Sequence, residues 1–216
     1  ITLKSIDETI VSTARQHTYE ERLGLLNNPF VLRALAIHEK GAFFKPTIEK
    51  LVEYSRCTGV HIKFHVIGEG PLAHFLNRLH IPQENFILVH HGVIAGDELD
   101  EYLLNNIDIL FAMGTSALEG ARLGIPTVLL DASYGRVPHG YQFKWLFKSQ
   151  LYSLADIICS EHINRDCNSI FKIMDDYFDH AKDISEATYA YYRRNHSLDA
   201  VCAKFMNEIS NVSFKY

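Results

Sequence analysis

The 216 residues are 47% hydrophobic and 22% charged, a globular composition with enough length to bury a sizeable core. A net charge of −5 speaks against a broad surface for nucleic acid or anionic lipid, so any bound phosphate must be held by local geometry. Cys57, Cys159, Cys167 and Cys202 have neither metal-ligand spacing nor the density of a disulfide scaffold, and no apolar run approaches the roughly 18 residues of a membrane span.

Residues 5–26 are mostly polar with scattered Ile, Val and Leu, which predicts a helical lead-in ending at Asn27-Asn28-Pro29. Because the chain starts at Ile1 rather than Met, residues 1–28 are read as a linker from a missing N-terminal domain and residues 29–216 as one domain. Short apolar runs over 30–37, 60–67, 85–89, 107–111 and 127–130 predict strands, and 46–57, 71–79, 96–106 and 115–123 predict helices between them. This alternation is α/β: a doubly wound parallel sheet, Rossmann-like, with ligands expected at the carboxyl ends of its strands. Residues 131–162 read as irregular, with Tyr134 to Tyr141 an exposed loop on a pocket rim. Beyond Ile163 the pattern is helical, and Ser197 is the expected N-cap of the last helix.

Gly68-Glu69-Gly70-Pro71-Leu72-Ala73 satisfies the loose dinucleotide pattern after a strand, but FILVHHG offers no acidic residue to take a ribose; a tight strand-to-helix turn explains it better. In HIKFHVI the alternation puts His61, Lys63 and His65 on one face, the two histidines about 13 Å apart and unable to share a metal. His90 and His91 fall at a strand end, where a histidine is structural or a ligand group. Lys40 lies in the loop after the first strand, placed to meet a phosphate as a point charge or to stand in solvent.

The strongest signal is FAMGTSALEGARLGIPTVLLD, residues 111–131. Ser116-Ala117-Leu118-Glu119 reads as a capping box, or else Gly114, Thr115 and Ser116 open a helix whose free N–H groups and partial positive charge suit a phosphate. In the second reading Glu119 is reserved for ligand hydroxyls.

Together, HEKG, VIGEGPL, VHHGVI, DELDEYLLNNIDILF and GTSALEGARLGIPTVLLD, in that order, resemble the C-terminal, donor-binding domain of a GT-B-type glycosyltransferase that uses a nucleotide-sugar, over roughly residues 30–210. The resemblance implies donor phosphate at Lys40, Gly114, Thr115 and Ser116, ribose at Glu119, and nucleobase at Gly92, Val93 and Ile94; by their places in the chain His91 and Arg136 are candidate rim residues, Arg136 an alternative phosphate contact. Where many retaining members carry a further glutamate eight positions earlier, this chain has Phe111, and Arg33 lies earlier than the family's usual arginine. A retaining mechanism is therefore not implied. Neither a metal nor a cofactor is expected, the nucleoside-diphosphate sugar being a substrate. The expected partner is a sugar or lipid-linked acceptor met through the missing domain, which also supplies the catalytic base. No nucleic acid partner is expected. The expected setting is bacterial surface-polysaccharide synthesis, in the cytoplasm or peripheral to the inner face of the membrane. The alternatives are a nucleotide-sugar epimerase domain of the same architecture and a non-catalytic partner-binding module in which Ser116 and Glu119 only cap the helix.

Overall fold

The computed structural model describes residues 32–34, 44–68, 84–131, 137–138, 140–150, 152–156, 158 and 168–211. Lys40, Arg136, the 71–79 helix and residues 1–28 lie outside the described residues.

Strand β1 (Leu32–Ala34), helix α1 (Phe44–Thr58), β2 (Ile62–Val66), β3 (Phe86–His90), α2 (Asp97–Asn106), β4 (Leu110–Ala112), α3 (Thr115–Arg122) and β5 (Thr127–Leu129) follow in chain order. Strands β1, β2 and β3 pair in parallel, as do β4 and β5. The ladders form two sheets, one of β1, β2 and β3 and one that contains β4 and β5, and β1 lies against β4, so the spatial order runs β3-β2-β1-β4-β5. This is the doubly wound arrangement, and its order reverses between β1 and β4, where open α/β sheets leave a ligand crevice.

Side chains alternate across the sheet as the strand period demands. Ile109, Phe111 and Met113 face a core shared with Phe64, Ile48 and Leu51 of α1, and Leu110 and Ala112 face a second core with Leu103 of α2 and Ala117 and Ala121 of α3. Phe111 is wholly buried in β4, far too deep to act on a donor. Gly120 lets α3 settle on the sheet, since a Cβ there would collide with Leu110 Cδ2.

Two expectations need adjustment. β4 begins at Leu110 rather than 107, because Ile107 is still the C-cap of α2 and donates its N–H to Leu103 O. The region read as irregular contains β6 (Lys144–Trp145), antiparallel to β5, and a 3-10 turn over Leu146–Lys148. Two residues are too few to show an alternation.

Helix α4 (Ile170–Asn195) is bent at His180, whose φ of −138° leaves the helical range. Before the bend, Ile170, Ile173 and Met174 pack on the first core; further along, Tyr191 and Tyr192 pack on the second. Helix α5 (Leu198–Asn211) starts where expected: Ser197 Oγ accepts the Ala200 N–H at 3.2 Å. Among the described residues no helix is long and apolar enough to cross a membrane.

Candidate functional site

Two residues, Met113 and Gly114, separate the carboxyl end of β4 from the start of α3. Gly114 makes the turn with φ 60° and ψ −143°, a conformation that side chains resist, and so the helix begins at Thr115 with Gly114 as its N-cap. No side chain caps it. Ser116 sits inside the first turn rather than before it, so the capping box does not form; a glycine with positive φ ended the strand earlier than the serine would have. The Gly114 N–H donates to Leu154 O at 2.9 Å, which fixes the turn from outside. The amides of Thr115 and Ser116 have no intrahelical acceptor, Thr115 is exposed and Ser116 half-buried. Two amides without intrahelical acceptors and two hydroxyl residues thus stand at the positive end of a helix dipole.

Glu119 lies one turn further along α3 and is partly exposed. Its Oε2 accepts from Arg122 Nε at 2.9 Å, and the Arg122 guanidinium also pairs with Asp100 of α2. Burial works against the charge on Arg122, but Asp100 and Glu119 outweigh it and raise its pKa. Arg122 and Asp100 were not singled out in the sequence. Arg122 stands at i+3 from Glu119, a recognisable pairing distance, whereas nothing local points to Asp100, 22 residues away.

The loop after β3 supplies the second part of the rim. Gly92 turns it with φ 68°, its carbonyl accepts the Gly68 N–H at 2.5 Å, and His90 Nε2 is 2.9 Å from Gly68 O. Val93 is 66% exposed, an apolar side chain standing at a strand end, while Ile94 packs on the core shared with α3. His91 turns inward: its Nε2 lies 3.0 Å from His65 Nδ1 and 2.7 Å from Tyr102 Oη, and the His65 and His91 rings stack. The alternation puts His65 on the strand face of His61 and Lys63, but where His61 is exposed, His65 is buried and bonded to Tyr102 of α2. Burial, then the charges of Lys63 and His90, lower the His91 pKa. His91 therefore anchors the loop from beneath.

In that order β3 and β4 stand three places apart along one rim. The loop after β3 and the start of α3 thus stand at the same, carboxyl edge of the strands, with Glu119 on α3 near the second.

Neither a known family profile nor a curated protein matches the sequence. Solved structures do. Anabaena HepE in complex with UDP aligns over 96% of this chain and 56% of its own, with 12% identity and a TM-score of 0.53. Its complex with UDP and glucose gives 97%, 54%, 14% and 0.51 in the same order. The UDP-forming α,α-trehalose-phosphate synthase of Burkholderia xenovorans aligns over 98% of this chain and 52% of its own, at 12% identity and a TM-score of 0.54. The chain spans about half the length of these proteins. At such identities the likeness is one of fold: the Rossmann-like half of a GT-B glycosyltransferase.

Proposed function

We propose that this chain is the donor-binding half of a glycosyltransferase, taking a nucleoside-diphosphate sugar and handing its hexosyl group to an acceptor held by another domain. The observation that carries the reading is the start of α3, open to solvent and without a side-chain cap at the carboxyl end of β4, beside the point where the strand order reverses. The diphosphate lies on Thr115 and Ser116, with Gly114 admitting it to the backbone and Lys40 adding a charge. Glu119 accepts from the ribose hydroxyls, Gly92, Val93 and Ile94 receive the base on a loop that the inward-turned His91 holds from beneath instead of standing on the rim, and Arg136 completes the rim. As the sugar leaves, charge gathers on the diphosphate, and donors already aimed at that place stabilise it. The acceptor pocket and the catalytic base come from the other domain, so this half alone binds donor without turnover. The setting is polysaccharide synthesis at the cytoplasmic side of a membrane.

The fold likeness to a UDP-bound protein and a UDP-forming enzyme supports uridine as the first base to try. Thermal unfolding with UDP, GDP, ADP and CDP and their sugars is the test. A ligand at 100 times its Kd adds about 2.7 kcal/mol of apparent stability. A shift with one nucleotide family supports the donor site, and no shift with any at millimolar concentration favours a partner-binding module.

A further inference from the structure

The family resemblance gives Arg122 no role, yet its side chain is only 7% exposed and it holds two carboxylates from different helices, Glu119 of α3 and Asp100 of α2. An exposed i,i+3 pair is commonplace, but a buried guanidinium shared between two carboxylates is a fixed arrangement. Tyr192 of α4 is buried beside it: burial raises the Tyr192 hydroxyl pKa, while Arg122 pulls it back and Glu119 pushes it up. Asp100 and Glu119 keep side-chain exposures of 27% and 21%, so both reach toward solvent from this buried cation.

The arrangement solves two problems of a carboxylate near a diphosphate site. An unrestrained glutamate samples several rotamers, and each nucleotide would have to order it at an entropic cost. Its full charge also repels a diphosphate bound one turn away. A guanidinium on Oε2 fixes the rotamer and offsets the charge, while the carboxylate keeps acceptor capacity for a hydroxyl. Asp100 in turn holds Arg122 in place from outside α3.

We propose that Arg122, anchored by Asp100, is a positioning residue that orients the Glu119 carboxylate to read ribose hydroxyls, so that the site distinguishes ribonucleotides from deoxyribonucleotides. This rests on Glu119 being the ribose-binding residue of the donor site.

Calorimetric titration with UDP and 2′-deoxy-UDP, on the wild type and on Asp100→Asn, Arg122→Lys and Glu119→Gln, tests it. The wild type is expected to prefer UDP by about tenfold, the worth of one charge-assisted hydrogen bond. Asp100→Asn keeps an acceptor for Arg122 and so keeps the fold, which a melting curve checks; its preference is expected to fall by about threefold, through weaker UDP binding with 2′-deoxy-UDP unchanged. Arg122→Lys, a point charge without the planar fork, is expected to lose the preference as fully as Glu119→Gln does. A role confined to holding α2 against α3 would weaken both nucleotides equally, and an unchanged ratio in Asp100→Asn and Arg122→Lys overturns the proposal. A wild type that binds neither nucleotide overturns the donor-site reading beneath it, and a wild type that binds both equally overturns the ribose role of Glu119.

Discussion

Strands β4 and β5 lie side by side in parallel and end on the same rim, but their ends are finished in opposite ways. Beyond β5, Asp131 is buried and its Oδ1 accepts the Asp156 N–H at 2.9 Å, while its own N–H donates to Tyr141 Oη at 3.0 Å. Lys144 pairs with Asp156 at 2.5 Å, and Ser153 Oγ donates to Asp156 at 2.9 Å. Burial raises the Asp131 pKa, and the Lys144 hydrogen bond lowers that of Asp156. Beyond β4, past the buried Met113, come Gly114 and the two hydroxyl residues Thr115 and Ser116, with no side-chain cap on the helix. The polar groups after β5 are used on one another and fix segment 153–156, whose Leu154 carbonyl then steadies the Gly114 turn. The lesson is a division of labour: one strand end is closed on itself, and its neighbour is left for the proposed donor site.

That division breaks if changes at the two ends have the same effect. Asp131→Ala removes a buried carboxylate that accepts from the Asp156 N–H and is expected to cost about 1–3 kcal/mol in chemical denaturation. Gly114→Val forces a branched side chain into positive φ at a cost of about 1–3 kcal/mol, and is expected to weaken nucleotide binding more than Asp131→Ala does when both are compared well below their melting points. Glu119→Gln is expected to weaken binding by about tenfold with a stability change under about 1 kcal/mol, because the amide still accepts from Arg122. A clear stability loss with unchanged binding would move Glu119 to the structural side of the comparison.

The smallest effect concerns pH. His91 and His196 both have pKa values below the usual 6.5, mainly through burial, so the folded state binds fewer protons than the unfolded one. Their contribution is complete above pH 6.5 and is lost as pH falls through their folded values. Replacing each by Gln is expected to flatten the loss of melting temperature below pH 6.5, and a slope equal to that of the wild type would place the acid sensitivity elsewhere.

The fold was legible because β4 and β5 advertise themselves: Ile109, Phe111 and Met113 alternate with Leu110 and Ala112, and Gly114 and Gly124 bracket α3. The helix start was legible as a glycine followed by two hydroxyl residues, though its first residue was not, since Ser116 resembles a cap until the turn at Gly114 is seen. Long-range groups were hidden. His65 reads as an outward residue in HIKFHVI because the strand pattern says nothing of Tyr102 covering it from α2. Arg122 and Asp100 meet only once α2 and α3 lie on the same face of the sheet. The closed end of β5 depends on Tyr141, Lys144 and Asp156, spread along a region without periodicity.

The most direct measurement is a crystal structure of the protein soaked with UDP. The diphosphate is expected within hydrogen-bonding distance of the Thr115 and Ser116 amides, with the ribose on Glu119 and the base against Gly92–Ile94. A nucleotide seated anywhere else, with the start of α3 left to solvent, would contradict the assignment of this rim as the donor site.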